Sequence, residues 1–381
     1  MKTNLKVLLL PEVVGGEPGG IAEGLRDLGD SVAVMSKWPH PFGYKSDKLI
    51  YPRFGLSRVE VFFRTLLAGL YLFKKWDVIH FTFGSTLFDP GNSMTKVHDV
   101  RSFFKRIVQE MWHGLQVLEL AILRFRGVTV FFHFQGDDAR QGQTLLSRYS
   151  TSIAHVVEGD YYTVESDAAK IRKIKRFTKW SDGMFAVNPD LLWLLPPFAK
   201  FIPYATVDPE QCEPTPPSSN KEIIVFAHAP SHRGVKGTNL IIEAVAALQN
   251  KGFKVELDLI EGVSNQEAVD RIRKCDVLID QLYAGWYGGV AVEAMSLGKP
   301  VVCYIREEDL GWINSEMRSS IPIIRTTPDS VLQTLEEISD MTKKRLDEVG
   351  KQSREYAMTW HNRREVARVI RDSYLTAIKS K

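Results

Sequence analysis

The chain has 381 residues, 44% of them hydrophobic and 25% charged, which is ordinary for a soluble globular protein and long enough for two domains. Its three cysteines (Cys212, Cys275, Cys303) lie far apart with no CxxC or His/Cys cluster, which argues against a disulfide framework or a structural zinc site and fits a reducing cytosol. The net charge of +3 is unevenly spread: residues 1–200 carry 26 Lys/Arg against 20 Asp/Glu, and the remainder 23 against 26, so the first half would favour an anionic acceptor or a lipid surface.

In chain order, Met1-Lys2-Thr3 leads straight into Lys6 to Leu10 (KVLLL), a continuous apolar run that predicts a buried parallel strand and is too short for a signal-peptide core. No run approaches the roughly 20 apolar residues of a transmembrane helix. A cytoplasmic protein is expected, with peripheral contact at the inner face of a membrane left open. Val13 to Gly20 (VVGGEPGG), including Gly16, reads as a glycine-rich loop, followed by a helix with Ile21, Leu25 and Leu28 on one face and a strand over Ser31 to Met35. The loop is not a strict GxGxxG with an acidic partner, so no dinucleotide site is expected. It serves either as a tight turn or as a place where a substrate phosphate or hydroxyl meets bare backbone.

Arg58 to Lys75 and about Arg101 to Arg126 read as long amphipathic helices rich in Phe and Leu, the second rimmed by Lys105, Arg106, Arg124 and Arg126. Packing into the core with a solvated edge is preferred over lying on a membrane. Trp76 to Gly84 and Val128 to Arg140 are predicted strands that end in glycine-containing loops. In an open α/β sheet ligands gather beyond the carboxyl ends of strands, making His133, Gln135, Asp137, Asp138 and Arg140 candidates for a cleft. The Asp137-Asp138 pair lacks further ligands and stands beside an arginine, so it reads as a turn or cap rather than a metal site. The basic run Lys170 to Lys179 is taken as a solvated helix or anionic-acceptor patch, since no stacking array or nucleic-acid motif accompanies it.

Pro209 to Asn220 has four prolines and two serines in twelve residues and reads as a linker. Beyond it, strands at Glu222 to His228, Lys254 to Gly262, Val277 to Ile279, Val301 to Ile305 and Ile321 to Arg325 alternate with helices, which predicts a second parallel, doubly wound domain. Helices over Ser330 to Thr359 and His361 to Lys379 close the chain. Asp276 to Tyr304 (DVLIDQLYAGWYGGVAVEAMSLGKPVVCY) is a βαβ unit whose glycine loop (Gly285, Gly288, Gly289) opens a helix that carries one carboxylate, Glu293. Backbone N–H groups and the positive helix end there suit an anion, and a sugar nucleotide is the expected ligand.

The segments His228 to Thr238 (HAPSHRGVKGT) and Gly285 to Val302 (GWYGGVAVEAMSLGKPVV) resemble the donor domain of GT-B-fold glycosyltransferases, most of all the family-4-type nucleotide-sugar enzymes (glycosyl transferases group 1). The resemblance covers nearly the whole chain, and EAMSLGKPVV is its specific part. It implies an α/β protein of two Rossmann-like doubly wound parallel-sheet domains facing a cleft. The acceptor-side domain would be 1–208, the linker 209–220, the nucleotide-sugar donor domain 221–358, with a C-terminal helix over 359–381 that can pack back on the first domain.

The resemblance also implies roles. Lys236 would neutralise the donor diphosphate as charge develops on the leaving nucleotide, helped by Arg233. Glu293 would accept ribose hydroxyls, while the N–H groups of Gly288 and Gly289, and the loop at Gly16, would face the sugar or phosphates. Gln135 and His133 would lie near the reacting sugar. No metal and no cofactor are implied, the nucleotide sugar being the substrate. The expected activity is transfer of a sugar to a hydroxyl of a saccharide or lipid-linked acceptor in polysaccharide or glycoconjugate biosynthesis, with retention of configuration. A nucleotide-sugar epimerase of the same fold and a degenerate nucleotide-sugar-binding protein are the alternatives.

The chain departs from the family pattern in three places. Gly285 stands where an upstream glutamate is expected, Gln135 where a histidine is, with His133 two residues earlier, and Ser231 where the usual arginine is.

Overall fold

The computed structural model describes residues 4–89, 100–157, 159, 161–215 and 222–381, without the side chains of 100–105. The end of the Pro-rich segment (216–220) and the side chains of Phe103, Phe104 and Lys105 therefore lie outside the described residues. The chain divides into two compact units, one of Met1–Thr144, Tyr162–Ile202 and Arg364–Lys381, the other of Leu145–Tyr161 and Pro203–Arg363.

The first unit is built on seven parallel strands, β1 (Lys6–Leu10), β2 (Ser31–Ser36), β3 (Lys48–Leu49), β4 (Val78–Thr82), β5 (Thr129–Phe134), β6 (Gly183–Ala186) and β7 (Lys200–Phe201), in the order β3-β2-β1-β4-β5-β6-β7. All residues of β4 and β5 are buried, as expected of strands covered on both faces. The helices are α1 (Glu17–Asp27), α2 (Arg58–Gly69), α3 (Val100–Phe125), α4 (Gly142–Arg148), which from Leu145 onward belongs to the second unit, and α5 (Val164–Trp180). α1 begins four residues before the predicted Ile21, because Gly16 adopts a left-handed φ of 73° as N-cap and Pro18 is tolerated in a first turn. The α2 register is set by a capping box in which Ser57 and Glu60 exchange hydrogen bonds.

Two expectations hold only in part in this unit. The apolar residues of α2 and α3 are only partly used for the core: Leu120 and Leu123 are buried, but Phe63, Leu67 and Leu118 are exposed. The basic run on α5 is a solvated face only in part, with Arg172, Lys175 and Lys179 exposed. Lys170 and Lys173 are buried, Lys170 Nζ donates to the Arg140 carbonyl at 2.6 Å, and Arg176 donates to Gln116 on α3. With six cations among the ten residues Lys170 to Lys179, some must turn inward, and long stems let the charges find buried acceptors.

The second unit has five parallel strands, β8 (Ile224–His228), β9 (Val255–Leu259), β10 (Val277–Ile279), β11 (Val301–Cys303) and β12 (Ile324–Arg325), in the order β12-β11-β10-β8-β9. Its helices are α6 (Arg233–Lys236), α7 (Thr238–Asn250), α8 (Asn265–Ile272), α9 (Gly289–Ser296), α10 (Ser315–Ser319), α11 (Val331–Ser339) and α12 (Lys343–Trp360). The predicted helix 330–359 is thus two helices, split where Thr342 caps α12 by accepting from the Arg345 N–H at 3.2 Å. α12 lies against the loop that follows α9: a Cβ at Gly350 would stand 2.2 Å from the Gly298 carbonyl oxygen, so only glycine permits that approach.

The last helix, α13 (Arg363–Lys379), belongs from Arg364 onward to the first unit. Arg371 grips Asp30 with two bonds, 2.8 and 3.1 Å, and the Tyr374 hydroxyl meets His80 Nδ1 at 2.5 Å. Asp30 also accepts the Leu5 N–H at 2.9 Å, so this carboxylate joins β1, the end of α1 and the chain terminus.

Candidate active site

In the second unit, the residues with chemistry sit at the carboxyl ends of β8 and β10, where a parallel sheet leaves helix N-termini and loops free to hold ligands. β8 ends in His228, fully buried, whose Nδ1 faces the Ile279 carbonyl at 2.8 Å and whose Nε2 faces Thr238 Oγ1 at 2.9 Å. Burial lowers its pKa to about 4, so near neutrality it is an uncharged strut fixing the start of α7 against β10. The strut holds the Lys236-Gly237-Thr238 corner, where Gly237 has φ of 72° and a Cβ would collide with Leu282 at 2.8 Å.

Lys236 is 8% exposed and pairs with Asp280, 1% exposed, at 2.5 Å. The other Asp280 oxygen accepts the Gly288 N–H at 2.6 Å. Asp280 immediately follows β10 and was missed from the sequence, although a carboxylate directly after an apolar strand is the signal that strand-end sites give. The pair bears on two expectations. The Gly288 N–H is committed to a carboxylate rather than free for a phosphate, and Lys236 has a resident counter-ion. Gly289 begins α9, its N–H at the positive helix end. Arg233 is half exposed and forks onto Glu261 at 2.9 and 2.5 Å, an acid-bound surface cation instead of a partner to Lys236.

Glu293 is 8% exposed on α9, and its Oε1 accepts from Asn265 Nδ2 at 2.8 Å. Burial raises its pKa to about 7, only partly offset by that bond. A buried carboxylate with one neutral donor is poorly satisfied and suited to a ligand bearing hydroxyl donors. Asn265, at the start of α8, was also missed.

The loop joining β10 to α9 is held by its aromatics. Trp286 and Tyr287 are buried and stacked 4.3 Å apart, and the Tyr287 hydroxyl meets Tyr356 at 2.9 Å and His361 at 3.0 Å. Gly285 has φ of 79°, and a Cβ there would stand 2.5 Å from the Arg306 guanidinium carbon. Arg306, 1% exposed, pairs with Asp309 at 3.0 Å, bonds the Thr151 carbonyl at 3.0 Å and lies 3.7 Å over the Tyr149 ring. The space for an upstream glutamate is therefore filled by an arginine that clamps the 145–161 segment. Gly285→Glu is expected to lower stability by about 1–3 kcal/mol through overpacking and a left-handed backbone, with no gain in turnover; thermal unfolding and a donor-consumption assay check it.

In the first unit, Gln135 follows β5. Its N–H donates to Asp138 and its carbonyl accepts from Asn188 at 2.6 Å, while its side-chain Nε2 is buried without a partner among the described residues. His133 is a different matter. It lies inside β5, 0% exposed, with its ring 5.3 Å from His80 and 5.8 Å from Phe185, and burial takes its pKa down to about 3. β5 ends at Phe134, so Gln135 lies past the strand end while His133, inside the strand, is walled in by aromatic rings and is not brought to its open end. Asp138 accepts the N–H groups of both Gln135 and Gly136, closing the turn as expected, and Arg140 pairs with buried Asp190 at 2.7 Å. Gly16 is buried with the Tyr44 ring 2.9 Å from where a Cβ would be.

A depression of about 350 Å³ opens at the ends of β1, β2, β4 and β5, lined by Glu12, Lys37, Ser85, Asp89, Asp138 and Lys173. Its rim holds Phe83 at φ of 53°, an unusual conformation for a bulky residue and one typical of ligand-facing backbone. Burial raises the pKa of Glu12, with Lys37 opposing, and takes Asp138 to about 6. Alternating acids and cations of this kind can exchange hydrogen bonds with a polyhydroxylated ligand. Asp138 and, within the basic run on α5, Lys173 were named from the sequence; Glu12, Lys37, Ser85 and Asp89 were not, because they come from separate loops after β1, β2 and β4. Among the described residues no group of three or more His, Cys, Asp or Glu is placed to hold a metal.

No protein-family model matches the sequence, and no curated protein matches it. Solved structures do. The fold is similar to sucrose-phosphate synthase from Thermosynechococcus elongatus, at 14% identity and TM-score 0.60, with 99% of this chain and 100% of that one covered. It is similar to Anabaena Alr3699/HepE in complex with UDP-glucose, at 12% identity and TM-score 0.58 over 98% and 100%. It is also similar to the catalytic domain of starch synthase IV from Arabidopsis thaliana bound to ADP and acarbose, at 10% identity and TM-score 0.56 over 99% and 100%. The chain has the GT-B fold, two parallel-sheet α/β units along its whole length.

Proposed function

We propose that this chain, carrying the GT-B fold, is a glycosyltransferase that moves a sugar from a nucleotide-sugar donor to a hydroxyl of a saccharide or lipid-linked acceptor. The observation that carries the reading is the arrangement beyond the β8 and β10 ends: Glu293 buried on α9 with one neutral donor among the described residues, and Lys236 buried in an ion pair with Asp280 beside the start of α9. In this reading Glu293 accepts ribose hydroxyls. Lys236 and the N-terminus of α9 at Gly289 meet the diphosphate, where a fixed cation is worth most in a water-poor site as negative charge grows on the leaving oxygen. Asp280 positions Lys236 and keeps its charge compensated while the site is empty. Structural neighbours crystallised with UDP-glucose and ADP support a nucleotide-linked donor.

The acceptor hydroxyl binds in the first unit, in the depression of Glu12, Lys37, Asp89, Asp138 and Lys173. Retention of configuration is the proposed outcome: nothing identified at Gln135 or Gly285 supplies an enzymic base, and the leaving phosphate takes the acceptor proton. The site is proposed to work without a metal. Polysaccharide or glycoconjugate synthesis in the cytoplasm is the corresponding cellular role.

A thermal-shift series against UDP, GDP, ADP and their sugar conjugates tests the donor assignment. A ligand that binds only the folded protein raises the midpoint, by about 2.7 kcal/mol of added stability at a hundred times its dissociation constant. One nucleotide series is expected to raise it, with the sugar conjugate hydrolysed or transferred on long incubation. No shift with any of them would overturn the proposal, and a shift without turnover would mark a binding protein.

A further inference from the structure

We propose that the paired outer faces of α2 and α3 dock this protein on an anionic phospholipid bilayer. The surface shares no residue with the proposed donor and acceptor sites and does not depend on their assignment. Val59, Phe63, Leu66 and Leu67 on α2, with Leu70 at its C-cap, recur at helical spacing as a single stripe, and all are exposed, Phe63 at 58% and Leu67 at 64%. Phe73 extends the stripe past the helix end. On α3 the residues Ile107, Met111, Leu118 and Phe125 form a second stripe, with Phe125 93% exposed.

The two stripes belong to one surface. Phe62 meets Trp112 edge-to-face at 5.9 Å, and Arg126 at the end of α3 donates to the carbonyls of Leu72 and Lys74 and lies 5.8 Å from the Phe73 ring. The helices therefore run side by side in the same direction. Isolated exposed apolar residues are normal, but adjoining stripes of Phe, Leu, Ile and Met are not, and mark a surface that is covered.

The charges around it decide what covers it. Exposed cations lie on both helices and at their ends: Arg58, Arg64, Lys74, Lys75, Arg106 and Arg124. Glu60 and Glu110 are the exposed acids described on these helices. A bulky apolar stripe edged by Lys and Arg is the pattern of a face that enters the headgroup boundary while its cations meet lipid phosphates. A second copy of the chain would set these cations against themselves, because a twofold contact pairs the same patch with itself. Nucleic acid would satisfy the cations but leave the aliphatic stripe facing phosphate. Among the described residues no helix is long and apolar enough to cross a membrane.

The test is co-sedimentation of the full chain with phosphatidylcholine vesicles with and without about 30% phosphatidylglycerol. The anionic vesicles are expected to pellet at least about ten times more protein than the neutral ones. Phe63→Glu with Leu67→Glu is expected to abolish that binding, and Arg58→Gln with Arg64→Gln to weaken it and its salt dependence. Because these side chains are exposed, the unfolding midpoint and any nucleotide-induced shift should stay at the wild-type value, which separates this proposal from the donor assignment. Equal recovery in the supernatant with both vesicles, or anionic binding unchanged by Phe63→Glu with Leu67→Glu, overturns it. So does a wild-type dimer in sedimentation velocity that the same double substitution dissolves, since the face would then be a contact between copies.

Discussion

Lys236→Ala is expected to cost about 3 kcal/mol or more of stability and to lower nucleotide-sugar turnover at least tenfold, equivalent to about 1.4 kcal/mol. The stability loss comes from the partner left behind. Asp280 is 1% exposed, and without the ammonium 2.5 Å away its charge keeps, among the described residues, the Gly288 N–H alone. Removing one member of a buried pair is more damaging than removing both, because the survivor is an uncompensated charge in a low dielectric. The double variant Lys236→Ala with Asp280→Ala should therefore recover much of the lost stability while remaining deficient in turnover. Thermal unfolding of the two single variants and the double one gives the coupling. A Lys236→Ala protein with a wild-type midpoint and wild-type turnover would remove Lys236 from both roles.

Glu293→Gln should act in opposite directions on stability and on binding. Burial raises the Glu293 pKa from 4.5 to about 7, so the folded chain holds this proton more tightly than the unfolded chain does. Stability then falls as pH rises through that window, and above about pH 7 the charged form costs up to about 3 kcal/mol relative to an unburied carboxyl. Glutamine keeps an acceptor for Asn265 Nδ2 but carries no charge. The unliganded variant is expected to melt higher than the wild type at pH 8, with the difference shrinking towards pH 5. Its donor affinity should fall at least tenfold, about 1.4 kcal/mol, since ribose hydroxyls lose the ionised acceptor. Wild-type donor affinity should itself strengthen as pH rises through about 7. A residue kept at a cost to stability and needed for binding is the signature of a functional site. Equal midpoints at pH 8 together with unchanged affinity would show that Glu293 is an ordinary core residue.

Much of the fold was legible in the sequence because parallel strands buried on both faces leave continuous apolar runs. Lys6 to Leu10 and Val277 to Ile279 are strands at the bounds read from the sequence. Short edge strands such as Lys48–Leu49 were not legible, since two residues carry no period. Glu293 stood out as the lone carboxylate of an apolar helix behind a glycine loop, and Asp280 could have stood out as a charged residue directly after an apolar strand. The depression in the first unit was invisible, because Glu12, Lys37, Asp89, Asp138 and Lys173 are scattered over more than 160 residues and meet at the strand ends.

Residue type and spacing by themselves determined two parallel α/β sheets and a glycine loop opening a helix with one carboxylate, since those depend on local periodicity and on which backbone angles glycine alone adopts. What surrounds each side chain was decided only by the tertiary structure. The end of β5 at Phe134 separates Gln135 at the loop from His133 sealed beneath aromatic rings inside the strand. Arg306 returns from beyond β11 to fill the space at Gly285. The apolar faces of α2 and α3 follow the same helical period as core-facing helices, and periodicity cannot say whether a stripe meets the core or the outside. That depends on the area of sheet available for helices to cover, a property of the assembled layers and not of any one segment.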